Sequence, residues 1–281
     1  MEESQPIVGY PAVFNGDLRP AAAVCVPLHD DGFLRGDGAF EVVRIYEGRP
    51  FALDEHLDRL ERSCRILGIA YPRRELERET SLLIEGRGTI DCDMRIVLTR
   101  GGSRVVFLES LRPVEAAARL AVVVDRPQPL LQGAKTLSYA ANMLAERLAR
   151  ERGATDALLV SPEGLVLEAQ TAAFFWVDRQ GDVCTPPLGS GILDSITRRA
   201  VMRRAVVSER ECVVDEAKLC TEAFLAGTTR QVQPVAAIED RVFVDVPGPR
   251  TREAITGFWH EVRARTGVDV TGWLESALNP E

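Results

Sequence analysis

The pattern of apolar and polar residues in the first part of the chain predicts mostly strands. The segment "AFEVVRIY" (39–46), a turn at Glu47-Gly48 and "RPFAL" (49–53) are typical of a hairpin. A helix follows with an apolar stripe at every third or fourth residue; we predict Asp54 as its N-cap and Gly68 as its end. The remaining elements predicted in this part are a helix over 73–86 and strands over 93–99, 105–109 and 119–124.

The second part of the chain mixes helices and strands. Helices are predicted over 141–152, from Asp194 or Ser195 to 207, and near 251–265 and 271–278. Strands are predicted over 156–160, 165–168, 172–177, 182–185, 222–227 and 231–238. Strands interspersed with helices, without strict alternation, indicate an α+β protein in two lobes. The proline-containing segment "DRPQPLLQ" (125–132) is the best candidate for a linker between them.

Composition narrows the range of functions. The chain has 281 residues and a formal net charge of −8, which argues against nucleic acid as a partner because phosphate binding needs a basic surface. We see no signal peptide and no apolar run of roughly 18 residues, so we expect a cytoplasmic protein without a membrane span. Six cysteines without a CxxC pair are expected to be reduced, and three widely separated histidines predict no metal site.

One lysine stands out against this background. Of 34 basic residues only Lys135 and Lys218 are lysine, and Lys135 lies in the otherwise uncharged stretch "LLQGAKTLSYAANML". A lysine amino group forms a Schiff base with an aldehyde, whereas a guanidinium does not. Lys135 is therefore either a chance surface lysine or a residue with a chemical role.

Four further features are candidates for chemistry. "PLGSGILDSITRRA" (187–200) places Ser195, Ile196 and Thr197 at a helix start, where free backbone N–H groups favour a phosphate. Glu168 ends an apolar strand, either as an exposed strand end or as the partner of a buried cation. The other two are the helix face of His56, Arg59 and Ser63 and the turn Gly227-Thr228-Thr229. A Schiff-base lysine, a carboxylate and a phosphate cradle together match the requirements of pyridoxal phosphate.

In this set of motifs the chain resembles the class IV aminotransferases, which are fold-type IV enzymes that use pyridoxal phosphate. The resemblance runs through "DDGFLRGDGAFEVVRIYEGRPFALDEHLDRLERSCRILGI", "TRGGSR", "AKTLSYAANMLAERLARERGATDALLV", "GLVLEAQTAAFFWV", "TPPLGSGILDSITRRAV" and "GTTRQVQPV". It implies that Lys135 is the catalytic lysine that forms the Schiff base, and that Glu168 faces the pyridine nitrogen. The other cofactor-binding residues that it implies are Arg59, Leu193, Ser195, Ile196, Thr197 and Thr228.

The resemblance also implies an architecture. It predicts a small N-terminal α/β lobe over residues 1–122, an interdomain linker over 123–134 and a larger cofactor-binding lobe over 135–281. The family is usually homodimeric, and the "TRGGSR" loop is expected to cross to the partner subunit.

Substrate preference is indicated by a smaller group of residues: Phe40, Val42, Arg104, Tyr139, Thr229 and Arg230. Phe40-Glu41-Val42 resembles the D-amino-acid enzymes, because branched-chain enzymes typically have glycine in place of Val42. Arg104 is either the cation that holds a substrate carboxylate or a loop arginine facing solvent. We favour transfer of an amino group between a D-amino acid or a branched-chain amino acid and a 2-oxo acid. The alternatives are an aminodeoxychorismate lyase, which releases 4-aminobenzoate and pyruvate, and an (R)-amine transaminase.

Overall fold

A computed structural model describes residues 10–279 of the chain. The described residues divide into two compact units. The first takes in the chain up to Pro113 together with Gly133–Tyr139, and the second takes in Val114–Gln132 and the chain from Ala140 onward. Because each unit has its own sheet, the α+β class predicted from the pattern is confirmed.

The first unit is built from six strands and three helices in its described residues. The strands are β1 (Pro11–Phe14), β2 (Asp17–Pro20), β3 (Gly38–Tyr46), β4 (Arg49–Pro50), β5 (Cys92–Thr99) and β6 (Arg104–Glu109). The helices are α1 (Asp31–Arg35), α2 (Leu53–Leu67) and α3 (Arg73–Ile84), with a 3-10 turn at Ala21–Ala23. The strands form one sheet in the order β2-β1-β6-β5-β3-β4, with antiparallel pairing throughout.

The two faces of this first sheet have different surroundings. Side chains at alternate positions of β3, including Ala39, Val43 and Ile45, form a core with the apolar stripe of α2 and α3. The residues between them, including Phe40 and Val42, point to the opposite face. All nine residues of β3 are buried, so this strand positions buried side chains on both faces of the sheet.

Helix α2 confirms the predicted stripe but not the predicted cap. Leu57, Leu60 and Cys64 are fully buried in the core. Ala52, in the left-handed conformation, is the N-cap, and Asp54 lies inside the first turn. The prediction of Asp54 as the cap was therefore wrong, because the turn out of β4 starts the helix at Leu53; Asp54 and Glu55 act there only as favourable charges at the helix start.

The second unit is larger. Its strands are β7 (Ala118–Val124), β8 (Asp156–Val160), β9 (Val166–Ala169), β10 (Ala173–Val177), β11 (Val183–Thr185), β12 (Val207–Glu209), β13 (Glu222–Gly227), β14 (Gln231–Ile238) and β15 (Arg241–Val242). Its helices are α4 (Ala140–Glu151), α5 (Ile196–Arg204), α6 (Val214–Lys218), α7 (Pro249–Thr266) and α8 (Thr271–Leu278). Short 3-10 turns cover Pro129–Leu131 and Leu188–Ser190.

The sheet of the second unit runs in the order β12-β11-β10-β13-β14-β7-β8-β9, and β15 pairs with β14. The pairs β14–β7, β7–β8 and β11–β12 are parallel and the others antiparallel. Leu158 and Leu159 of β8 belong to separate apolar clusters on its two faces. A strand buried on both faces accounts for the continuous apolar run "ALLV" at 157–160.

The division into units differs from the predicted boundaries in two places. Ala118–Val124, which we divided between the end of the small lobe and the start of the linker, forms parallel ladders with β8 and β14 of the second sheet. Gly133–Tyr139, which contains Lys135, groups with the first unit because it bonds to β3. Neither pairing is visible in the local pattern, because strand partners are set by contacts distant in sequence.

None of the helices in the described residues is long and apolar enough to cross a lipid bilayer. Among residues 10–279 there is also no group of three or more histidine, cysteine, aspartate or glutamate side chains arranged to hold a metal ion.

Candidate active site

The backbone around Lys135 is attached to the first unit at several points. The Lys135 N–H donates to Ser63 Oγ of α2 at 3.0 Å, and the Lys135 carbonyl accepts from the Phe40 N–H at 3.1 Å. Thr136 forms an isolated antiparallel bridge with Ala39, and the Leu137 N–H donates to the Gly38 carbonyl at 2.8 Å. The segment therefore extends the edge of the sheet beside the start of β3, and Lys135 has a fixed place on it.

A glycine permits this close approach of the two segments. Gly36 has a φ of 70°, and a Cβ atom there would lie 2.9 Å from Ser138 Oγ and 3.2 Å from Ser138 N. Ser138 Oγ also donates to the Gly36 carbonyl at 3.1 Å. Both the left-handed backbone and the lack of space favour glycine at this position.

The side chain of Lys135 lies among aromatic rings. Its Nζ is 4.4 Å from the ring centroid of Phe40 and 5.1 Å from that of Tyr139. The two rings meet edge to face, with centroids 5.2 Å apart. Lys135, Phe40 and Tyr139, which we singled out separately in the sequence, are thus brought together. An amino group in this setting has apolar walls that limit the approach of water.

Arg59 is part of a buried charged cluster on the helix face of the same sheet. Its Nε and Nη2 donate to the two carboxylate oxygens of Glu41, each at 2.7 Å. His56 Nδ1 is 2.8 Å from Glu41 Oε2. Ser63 Oγ donates to the Arg59 carbonyl at 3.0 Å and accepts from the Lys135 N–H, so a short chain of bonds joins this cluster to the lysine backbone.

The protonation states in the cluster follow from burial and charge. Burial alone raises the pKa of Glu41, but the Arg59 guanidinium and the bonds from Arg59 and His56 outweigh it and hold that pKa at about 2. Burial lowers the pKa of His56 and overcomes the opposing effect of Glu41. At neutral pH Glu41 is therefore ionised and His56 uncharged, so His56 donates its Nδ1–H to the carboxylate.

The opposite face of the sheet carries a second charged group beside Phe40. Arg95 is paired in register with Val42, and its guanidinium carbon lies 5.3 Å from the Phe40 ring centroid. Glu109 Oε2 accepts from Arg95 Nε at 2.9 Å and lies 2.8 Å from Arg95 Nη2. The ring of Phe40 is therefore contacted by two cations, Lys135 and Arg95.

Asp93 lies further along the same face and has a perturbed pKa. Burial raises the pKa of Asp93 to about 6, although the neighbouring Arg44 opposes that rise. Asp93 Oδ1 and Arg44 Nε are enclosed and make no hydrogen bond within the part of the chain that the structure describes. This face thus holds a buried carboxylate that is more easily protonated than an exposed one.

The structure places Arg104 away from Phe40. Arg104 pairs with Leu98, which pairs with Ala39, so the three side chains lie on the helix face of the sheet. Its Nε and Nη2 bind the buried carboxylate of Glu79 on α3 at 2.6–2.8 Å. The guanidinium that the sequence offered for a substrate carboxylate is therefore engaged in an ion pair inside the first unit.

In the second unit, Glu168 and Leu193 are in direct contact. Glu168 lies in β9, and its Oε1 accepts the backbone N–H of Leu193 at 3.0 Å. Leu193 belongs to the segment that leads into α5. The acid predicted to face a pyridine nitrogen and the residue predicted to pack on the ring are thus held together by one hydrogen bond.

The start of α5 confirms the predicted helix and identifies its cap. Ser195 is the N-cap, and its Oγ accepts from the Arg198 N–H at 3.2 Å, whereas Asp194 pairs with Arg199. The N–H groups of Ile196 and Thr197 precede the first bonds inside the helix, so they point out of its positive end. Such a terminus suits a phosphate group.

Thr228, Thr229 and Arg230 form the loop between β13 and β14. The two threonines are partly exposed, whereas the Arg230 side chain turns inward to Asp156, with Nη2 and Oδ1 2.9 Å apart. The structure therefore separates the three: the two threonines are partly exposed, and the guanidinium enters the interior.

Several charged residues of the two units were not predicted from the sequence. Glu41 and Asp156 were not proposed, because an acid within an apolar run gives no sign of its partner. Arg95 was also missed, although its position opposite Val42 follows once β3 and β5 are paired. The signal that could have found it is the alternation of β5, which puts Arg95 and Asp93 on one face.

Each unit carries groups that fit part of pyridoxal phosphate. The first offers the Lys135 amine, which can react with an aldehyde, between two aromatic rings. The second offers the Glu168 carboxylate, which can hold a protonated ring nitrogen, and the N-terminus of α5 for a phosphate. The donor set matches the chemistry of that cofactor.

Comparison with known proteins agrees with this chemistry. The family model for amino-transferase class IV matches residues 38–238. A D-alanine aminotransferase from Bacillus licheniformis is 28% identical over 282 residues, covering 92% of this chain and 99% of that protein. An aminodeoxychorismate lyase from Bacillus subtilis (strain 168) is 28% identical over 246 residues, covering 78% of this chain and 83% of that protein.

Solved structures show the same fold. The branched-chain aminotransferase from Thermoproteus uzoniensis with norvaline has a TM-score of 0.80 at 28% identity, covering 92% of this chain and 95% of that one. A hypothetical aminotransferase from Mycobacterium tuberculosis, in its PLP-bound form, has a TM-score of 0.83 at 21% identity, covering 90% and 99%. The chain belongs to the class IV aminotransferase family, whose enzymes use pyridoxal phosphate.

Proposed function

We propose that this protein is an aminotransferase that moves an amino group between an amino acid and a 2-oxo acid. The observation that carries the proposal is the ring of Phe40, which is contacted by both the Lys135 amine and the Arg95 guanidinium. A nucleophilic amine and a carboxylate-binding cation close to one side chain suit a substrate that carries both an amino and a carboxyl group. D-amino acids and branched-chain amino acids are the proposed donors.

The proposed roles follow from the chemistry of each group. Pyridoxal phosphate, when bound, supplies an aldehyde for the amino group and an electron-withdrawing ring. Lys135 Nζ carries the cofactor and takes the proton from the substrate Cα. The Glu168 carboxylate keeps the proton on the ring nitrogen, and its bond from the Leu193 N–H fixes its direction.

The phosphate is assigned to the start of α5 and to the loop over 228–230 between β13 and β14, which we call the threonine loop. The N–H groups of Ile196 and Thr197 donate to it, with the hydroxyls of Thr197 and Thr228 as further donors and Ser195 as the cap that holds the helix start. Arg59 contributes positive charge. Its guanidinium is held in place by Glu41, to which Nε and Nη2 donate.

The carboxylate of the substrate is assigned to Arg95. Its bonds to Glu109 use Nε and Nη2, and a guanidinium has five N–H donors. We assign Phe40, Val42 and Tyr139 to the apolar surroundings of the substrate, and Thr229 to a further substrate contact. A carboxylate that binds arginine through two hydrogen bonds is also held in orientation.

The test measures conversion of the bound cofactor from its aldehyde to its amine form by absorbance, with D-alanine, L-leucine and (R)-1-phenylethylamine as separate donors. We expect an amino acid to convert it and the amine, which lacks a carboxylate, to fail. Arg95→Leu is expected to lower kcat/KM for the amino acid by about 10- to 100-fold, the effect of losing bonds to a charged group.

Glu109→Gln is the matched control, because it removes the same ion pair but keeps the guanidinium. It should retain most of the activity. Equal losses in both variants would assign the effect to the ion pair and refute the substrate role of Arg95. Conversion by the amine alone would favour an (R)-amine transaminase.

A lyase is the second candidate, favoured by the similarity to the Bacillus subtilis aminodeoxychorismate lyase. Release of 4-aminobenzoate and pyruvate from aminodeoxychorismate, without any conversion by amino acids, would establish it in place of the transaminase.

We also propose a homodimer. Leu28, Phe33 and Leu34 of the first unit are 80%, 66% and 54% exposed, and they lie within seven residues of one another along the chain. Grouped apolar side chains on a surface are typical of protein–protein interfaces. Light scattering on the purified protein tests this, and a monomeric mass would refute it.

A further inference from the structure

A buried ion pair joins the threonine loop to a distant strand of the second unit. Arg230, the last residue of the loop between β13 and β14, donates from Nη2 to Asp156 Oδ1 at the start of β8, at 2.9 Å. The two side chains are 12% and 7% exposed. Burial alone raises the pKa of Asp156, but Arg230 and the other bonds to the carboxylate leave that pKa below its usual value. The pair is therefore charged at neutral pH.

Asp156 also holds the loop over 170–172 between β9 and β10, which follows Glu168 and which we call the Glu168 loop. Gln170, two residues after Glu168, donates from Nε2 to Asp156 Oδ1 at 2.6 Å. The other end of the same amide, Gln170 Oε1, accepts the Ala157 N–H at 2.9 Å. One carboxylate oxygen is thus shared by a residue of the threonine loop and a residue of the Glu168 loop.

Arg230 contacts the Glu168 loop directly as well. Its Nη2 is 3.1 Å from Thr171 Oγ1, and its Nη1 donates to Gln233 Oε1 of β14 at 2.8 Å. The two loops are also packed without spare room. A Cβ atom at Gly227 would lie 3.2 Å from both the Thr171 carbonyl oxygen and Ala172 Cβ. The relative position of the two loops is therefore set by these polar bonds and by close backbone contact.

This arrangement leaves Arg230 poorly suited to bind a substrate directly, although we named it among the residues that indicate substrate preference. Nη1 and Nη2 are occupied by Gln233, Asp156 and Thr171, and Nε is enclosed without an acceptor among the described residues. Moving the guanidinium to a substrate would leave Asp156 buried and unpaired, which is strongly unfavourable.

We propose that Arg230 is a positioning residue, which acts with Asp156 and Gln170 to fix the Thr228-Thr229 loop relative to Glu168. The inference rests on the proposed function only in taking both loops to serve the cofactor and substrate. The ion pair then matters for the reaction through geometry. A displacement of about 1 Å at groups that orient a reaction can lower the rate on the order of 100-fold.

The test compares Arg230→Met, Asp156→Leu and the double variant by three measurements. These are the thermal midpoint, the dissociation constant of pyridoxal phosphate from the reconstituted apoenzyme, and kcat and KM with D-alanine. We expect each single variant to unfold at lower temperature, bind the cofactor more weakly and lose on the order of 100-fold in kcat. In the double variant, which has no unpaired buried charge, the midpoint recovers while kcat and cofactor affinity stay low.

Arg210→Met is the matched control. Arg210 is also an ion-paired arginine of the second unit, bound to Glu216 at 2.5 Å. We expect it to lower the thermal midpoint without changing kcat or cofactor affinity. Arg230→Lys keeps the charge but not the forked geometry of the guanidinium. Its kcat and its cofactor affinity should lie between those of wild type and Arg230→Met.

Two results would overturn the inference. Recovery of kcat together with the midpoint in the double variant would make the pair merely structural. A raised KM in Arg230→Met, absent from Asp156→Leu, would make Arg230 a substrate contact. If the wild type turns over no amino donor, the proposed transamination fails, but the cofactor dissociation constants still decide the positioning role.

Discussion

Replacing Glu41 by glutamine tests the electrostatics of the first unit most directly. The side chain is fully buried and accepts bonds from Arg59 and His56. Glutamine keeps the shape but removes the charge, so the Arg59 guanidinium loses its buried counter-ion. We expect the variant to fold with a lower free energy of unfolding.

The magnitude follows from the pKa of Glu41. The fall of this pKa from 4.5 to about 2 stabilises the folded state by about 3 kcal/mol at neutral pH, since each pKa unit corresponds to about 1.4 kcal/mol. Loss of one partner from a buried pair independently suggests about 3–5 kcal/mol. Because the folded-state pKa is lowered, this stabilisation is present above pH 4.5 and disappears as the pH falls towards 2.

Urea unfolding of wild type and Glu41→Gln, in steps from pH 7 to pH 3, measures the effect. The difference in free energy should be about 3 kcal/mol at pH 7 and should shrink by more than half at pH 3. Glu77→Gln is the control: Glu77 bonds to Arg73 at the surface, where a pair contributes at most about 1 kcal/mol. If Glu41→Gln costs no more than Glu77→Gln at pH 7, the electrostatic reasoning is wrong.

Three further predictions concern other residues. The raised pKa of Asp93, about 6, means that the folded state loses stability as pH rises from about 4 to 6. Asp93→Asn should remove that slope and raise the free energy of unfolding at pH 8 by about 2–3 kcal/mol in urea titrations. Gly36→Ala should lower the thermal midpoint more than Gly86→Ala, since both glycines have positive φ but only Gly36 lacks room for a Cβ atom; equal midpoints would contradict the close approach. Lys135→Ala should abolish the visible absorbance of the bound cofactor and turnover, whereas Lys218→Ala should leave both unchanged; turnover at the wild-type rate in Lys135→Ala would disprove the role of Lys135.

Much of the fold could be predicted from local pattern. The strand β3, the stripe of α2 with Leu57, Leu60 and Cys64, and the start of α5 near Ser195 are all as predicted. Each depends on neighbours within a few residues. The strand β7 shows the limit, since its partners β8 and β14 lie far along the chain and place it in the second sheet.

For the candidate site, the sequence was sufficient to single out individual residues but not their partners. Lys135 is conspicuous by its rarity, and Phe40 and Tyr139 lie in motifs that resemble the family; the structure brings the three together. Arg104 and Arg230 were also singled out, yet both side chains turn inward to Glu79 and Asp156.

The sequence alone determined most of the longer helices and strands, the family and the lysine, because these depend on residue type and spacing along the chain. Only the tertiary structure decided which arginine lies beside Phe40 and Lys135 and which arginines lie elsewhere. That choice depends on which face of a strand a side chain occupies and on the acid that it meets there. The pairing of β3 with β5 places Arg95, with its partner Glu109, beside Phe40. Arg104 and Arg230 instead pair with Glu79 and Asp156. Burying a charge without a partner is costly, and each partner comes from another part of the chain, so the folded chain as a whole sets these pairings.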